Sequence, residues 1–116
     1  MAGLVSSVAP SESEIYKVEL TGELTIRSIT ELRERMLEAL RADRPVVASV
    51  ADDAVTDLTF VQLIEATRRS AEAAGQDFAL AAPATGSLLE TLRRGGFLSD
   101  IDPARNQFWL MQSEDL

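Results

Sequence analysis

The 116-residue sequence contains no cysteine and no histidine. The first absence excludes disulfides, zinc–thiolate centres and thiol nucleophiles. The second removes the commonest general base, the commonest metal ligand and any histidine phosphotransfer on this chain. Lysine is nearly missing as well: Lys17 stands alone, and the other basic side chains are arginines. With 19 acidic against 11 basic residues the net charge is −8. That balance, with a single Trp and a single Tyr, disfavours nucleic acid, whose phosphates demand a basic face. Anionic membrane surfaces are disfavoured on the same ground. No apolar run approaches the roughly 20 residues of a membrane span. The opening MAGLVSSVAP lacks the basic n-region and apolar h-region of a secretory signal, so the expected location is the cytoplasm.

What is present fits one globular domain. The length suits a single core, and a 46% hydrophobic fraction is enough to fill it without covalent staples. Residues 1–13 are small, polar and broken by proline, and read as a flexible lead-in. The domain proper is expected over 14–112, with 113–116 as a tail. EIYKVELTGELTI alternates at period two, with Tyr16, Val18 and Leu20 on one side and Ile15, Lys17 and Glu19 on the other. With Gly22 at a turn and a second short strand over 24–26, the segment predicts a hairpin. Ser28 and Glu31 form an S-x-x-E pattern that predicts a capped helix start. Ile29, Leu32, Met36 and Leu40 then recur at helical spacing up to Pro45. VVASV reads as a buried strand and ADDAVTD as a loop. A second long helix is expected from 58 to about 74, with Asp57 as N-cap and Gly75 as its stop. DFALAA reads as a strand, SLLETLRRGGF as a third helix opened by Ser87 and Glu90, and 107–111 as a last edge strand. The sum is an α/β domain with a mixed four- to five-stranded sheet and helices mainly on one face.

On a helical wheel the second helix places Phe60, Leu63, Ile64, Thr67, Ala71 and Ala74 toward the core. Gln62, Glu65, Arg69 and Glu72 fall opposite, with Leu58 and Val61 on the polar flank near the helix start. Two aliphatics beside a polar stripe predict a contact patch for a partner, although scattered surface aliphatics also occur without function. Thr59 occupies the second helical position, where backbone N–H groups are free and the helix dipole is positive. A phosphate there would be stabilised by that end charge and would set about two negative charges beside Leu58 and Val61. A threonine completing local hydrogen bonds is the plainer reading.

Catalytic chemistry finds little support. Asp52, Asp53 and Asp57 could form an acidic Mg²⁺ pocket of the response-regulator kind, but the late-strand lysine of such receivers is missing. PATGSLLE and RRGGF contain glycines without the phosphate-binding pattern G-x-x-x-x-G-K-[ST]. Serines and threonines without a base give no nucleophile pair. No enzyme activity, cofactor or metal is expected.

In order and spacing, VELTGELTI, VVASVADDAVTDLTFVQLI, RRSAEAAGQDFALAAP and LLETLRRGGFL resemble the STAS domains, the group that includes anti-sigma factor antagonists. The resemblance covers about residues 14–100. The family pattern at the second helix is Asp-Ser-Ser-Gly or Asp-Thr-x-Gly, phosphorylated on the second residue after the aspartate, which is Thr59 here. Phe60 replaces the family glycine, and Ser49 stands where many members carry an aspartate. The resemblance implies a signalling module whose partner surface comprises Asp57, Leu58, Thr59, Val61, Gln62 and Glu65. Its implied partner is an anti-sigma factor with a GHKL ATPase fold. Alternatives are a chemotaxis histidine kinase or a role as the cytosolic subunit of a lipid-transport ABC complex.

Overall fold

The computed structural model describes residues 14–98 and 102–111. The expected lead-in and tail therefore lie outside the described residues. The elements run β1 (Tyr16–Leu20), β2 (Glu23–Leu24), a 3-10 turn (Ile26–Ser28), α1 (Ile29–Arg41), β3 (Val46–Val50), β4 (Val55–Thr56), α2 (Leu58–Ala73), β5 (Phe78–Leu80), α3 (Gly86–Arg94) and α4 (Pro103–Leu110).

Among the described residues five strands divide into a three-stranded sheet, β1-β3-β5, and a two-stranded sheet, β2-β4. Every pairing among the described residues is parallel. The register sets Val18 opposite Ala48 and Ala48 opposite Leu80, and all three are buried. The intervening positions Lys17, Glu19, Ser49 and Ala79 are exposed. Because strand side chains alternate between faces, one face of this sheet carries the core and the helices gather there. Leu32, Met36 and Ala39 of α1, Phe60 and Ile64 of α2, and Leu88 and Leu92 of α3 all belong to that core. The α/β class, the strand number and the one-sided placement of helices agree with the sequence reading.

The hairpin expected over 15–26 does not form. Gly22 is a left-handed turn residue (φ +78°), but the chain beyond it leaves β1 and pairs with β4, Glu23 opposite Val55 and Leu24 opposite Thr56. Ile26 consequently falls in the 3-10 turn and not in a strand. The segment 107–111, expected as an edge strand, is the end of α4. Asp102 caps that helix by accepting from the Arg105 N–H at 3.0 Å, Pro103 occupies its first turn, and Met111 closes it in a left-handed conformation. Helical spacing lets Phe108 and Trp109 reach the core, where Phe108 stacks on Phe78 at 5.5 Å. The two S-x-x-E patterns do not cap α1 or α3. Ser28 instead completes a capping box with Thr25 around the 3-10 turn. Ser87 accepts the Thr56 N–H at 3.0 Å, fastening β4 to α3.

Candidate functional site

The start of α2 is assembled from three separate segments. Asp57 is the N-cap, as the sequence predicts, and its Oδ1 accepts from the Phe60 N–H at 3.1 Å. Its second oxygen, Oδ2, accepts from the N–H of Ile26 at 3.0 Å, 31 residues away. Both oxygens therefore hold this chain's own backbone, one fixing the helix and the other the 3-10 turn. Phe60 is fully buried beneath the cap, a burial that stabilises the helix start by about 2–3 kcal/mol.

Around this cap lie three of the large apolar residues that the described surface exposes: Ile26 (64%), Val55 (56%) and Leu58 (44%). Val55 is brought in by β2–β4 pairing and by its N–H bond to the Gly22 carbonyl at 2.9 Å. On its other side Leu58 meets α3. A Cβ built on Gly95 would stand 3.0 Å from Leu58 Cδ1 and 2.9 Å from the Phe97 ring. The glycine at 95 has an ordinary φ of −83°, so it is space for these two side chains that favours it. Thr59 is half-buried at the second helical position, and its hydroxyl enters no side-chain hydrogen bond among the described residues. Gln62, one turn on, is exposed.

Two residues expected on this surface are not there. Val61 is 0% exposed and Glu65 2%. The wheel places Val61 on the flank, but α3 packs against α2 and Val61 is interior. The wheel places Glu65 on the polar face, yet it is the buried node joining α2 to α4. Its Oε2 accepts from Trp109 Nε1 at 2.7 Å and from Arg105 Nε at 3.1 Å, while Oε1 accepts from Arg68 Nη2 at 2.8 Å. Burial alone would raise its pKa, but the Trp109 and Arg68 hydrogen bonds and the charges of Arg68 and Arg105 outweigh it, and the pKa lies below the ordinary value. The carboxylate is thus held ionised and facing inward. Ala74, expected in the core, is exposed at the helix end. Ile26 is the surface residue that sequence reasoning missed. Its only signal was an apolar side chain following a strand, which reads as more strand.

The acidic trio does not converge. Asp52 Oδ1 accepts from Thr85 Oγ1 at 2.9 Å, Asp57 is committed to its cap, and no group of acidic residues suited to a metal occurs among the described residues. A separate groove of about 580 Å³ lies at the far end of α2, between Arg68, Glu72, Phe78, Phe108 and Met111. It does not adjoin Thr59. Among the described residues no helix is long and apolar enough to cross a membrane.

Comparison with known proteins bears on the family and the fold. A search of curated proteins returned no match. Among solved structures, a sulfate transporter family protein from Wolinella succinogenes superposes with a TM-score of 0.55 at 19% identity, covering 86% of this chain and 81% of that one. At that identity the likeness speaks for the fold. The family described as "Mlab, STAS domain" matches residues 8–99, most of the chain and all of the α2 corner, and on that match the protein belongs to the STAS domain family.

Proposed function

We propose that this STAS domain is a non-enzymatic signalling module of the cytoplasm, an anti-sigma factor antagonist that binds the GHKL-type ATPase domain of an anti-sigma factor through the start of α2. The observation that carries the reading is the corner itself. Three exposed aliphatics, Ile26, Val55 and Leu58, lie on segments that meet at Asp57, the cap of the helix whose second residue is Thr59. Exposed apolar side chains on segments held together, in a chain of net charge −8, support a protein contact. In this reading Leu58, Thr59 and Gln62 belong to the contact, and Ile26 and Val55 stand in for Val61 and Glu65, which are buried.

Thr59 supplies the switch. Its side chain stands at the positive end of the α2 dipole, where a phosphate is tolerated by the fold. The same phosphate brings about two negative charges and their hydration into the centre of an apolar contact, which weakens it. Phosphorylation would release the partner and dephosphorylation restore binding.

Calorimetric titration against purified ATPase domains tests this. The panel comprises an anti-sigma factor, a chemotaxis histidine kinase and a lipid-transport ATPase from the same organism. Binding to the anti-sigma factor, lost in Thr59→Glu, supports the proposal. Binding only to one of the other two transfers the module to that system, and binding to none overturns the partner class.

A further inference from the structure

A surface built from three segments works as one only if something holds the segments in register. The 3-10 turn carrying Ile26 is joined to β2 and α1 by the chain, but its link to α2 is a side-chain bond. The Ile26 N–H donates to Asp57 Oδ2 at 3.0 Å while Asp57 Oδ1 caps Phe60 at 3.1 Å. A helix N-cap needs one acceptor oxygen, and asparagine, serine and aspartate serve almost equally well there. At this position the carboxylate supplies a second acceptor, and that acceptor is spent on Ile26, the most exposed large apolar residue described.

We propose that Asp57 is a positioning residue for partner binding and Ile26 an anchor of the bound surface. The second carboxylate oxygen fixes Ile26 in the corner of Val55 and Leu58 before the partner arrives. The inference rests on the proposed partner surface and deepens it, because it replaces Asp57 as a direct contact by Asp57 as the part that pre-organises one. Ordering a loop during association costs affinity, and a surface ordered beforehand avoids that loss. The Thr25–Ser28 capping box ties the turn to β2, and from β2 to the α2 side the hold passes through a β2–β4 ladder of only two residues in each strand.

The substitution that separates the two oxygens is Asp57→Asn. The amide oxygen still accepts from Phe60, but the amide nitrogen now faces the Ile26 N–H, donor against donor. NMR-detected amide exchange requires no partner. In Asp57→Asn the Ile26 amide is expected to lose about tenfold or more of its protection while Phe60 keeps its own. Thermal stability should stay close to that of the unaltered protein. Affinity for the GHKL domain that the chain binds is expected to fall about tenfold in Asp57→Asn and in Ile26→Ser. The double variant should fall by little more than either alone, since both remove one anchor. The proposal is overturned if Ile26 keeps its protection in Asp57→Asn, if Phe60 loses protection in its place, or if the two substitutions weaken binding additively. A chain that binds no GHKL domain overturns the partner reading and Ile26's contact role with it. The exchange result tells that failure apart from a failure of the tether.

Discussion

Replacing Glu65 by alanine should undo the joint between α2 and α4, and the size of the effect follows from its donors. The carboxylate takes hydrogen bonds from Trp109, Arg68 and Arg105 and is 2% exposed. Removing one partner of a buried ion pair costs about 3–5 kcal/mol when nothing replaces it. Here the Arg68 and Arg105 side chains retain 16% and 24% of their surface in solvent, so water can take up part of the loss. Trp109 is fully buried, and a stranded buried donor costs about 1–3 kcal/mol. Together these place Glu65→Ala at about 3 kcal/mol, or roughly 12 °C in Tm for a domain of this size. Glutamine keeps an acceptor without the charge and should lose about 1–2 kcal/mol. The chain's single Trp is the one bonded to Glu65, so tryptophan fluorescence during urea unfolding reads the joint directly. Acid adds a second reading. A carboxylate whose folded pKa lies below its ordinary value of 4.5 contributes fully above that value, and the contribution is lost as pH falls through the folded pKa. Stability should therefore drop on acidification below about pH 4.5 more steeply in the unaltered protein than in Glu65→Gln. A loss under about 0.5 kcal/mol in Glu65→Ala, within the range of ordinary surface substitutions, would refute the buried node and return Glu65 to the surface.

Other substitutions probe the corner and its supports. Thr59→Ala should leave the fold nearly unchanged, since the cap worth about 1 kcal/mol belongs to Asp57. Thr59→Glu should be as stable or slightly more so, by about 0.3–1 kcal/mol through the dipole, and yet impair partner binding, so melting curves and affinities together decide. Gly86→Ala should destabilise by about 2 kcal/mol or more in urea, because φ is +56° and the added Cβ would stand 2.8 Å from the Asp52 carbonyl oxygen. In Gly95→Ala the nearest atoms to the added Cβ belong to side chains, the Phe97 ring at 2.9 Å and Leu58 Cδ1 at 3.0 Å. The variant's stability should shift by less than about 1 kcal/mol, while displacement of Leu58 weakens partner binding measured by calorimetry.

The sequence made some of this fold legible and hid the rest for physical reasons. α2, its Asp57 cap and its Gly75 stop carry a long periodic signal with local chemistry at both ends, and β3 and β5 are β-branched or apolar runs between turn residues. β2 and β4 have two residues each, too few to show a period, so their parallel pairing was invisible and the Gly22 turn suggested a hairpin. In α4 the apolar cluster of 107–111 reads as an edge strand, and the Asp102 cap and Pro103 that make it a helix lie just ahead of that cluster. The wheel found Phe60, Ile64, Thr67 and Ala71 correctly because a helix presents one main face to a sheet. It misplaced Val61 and Glu65 because α3 and α4 pack against this helix from elsewhere in the chain, and the Trp109 bonded to Glu65 is 44 residues away. Ile26 joined the site for the same reason in reverse: a bond across 31 residues leaves no mark in local sequence.

The central claim, that the start of α2 is a preformed protein-binding surface, is tested most directly by an NMR titration of the labelled chain with the unlabelled GHKL ATPase domain of an anti-sigma factor. The account predicts shifts concentrated on Ile26, Val55, Leu58, Thr59 and Gln62, with Glu65 and the Trp109 indole unmoved, and the whole set abolished in Thr59→Glu. Shifts gathered instead in the groove of Arg68, Phe78 and Phe108, with the Thr59 corner silent, would contradict it.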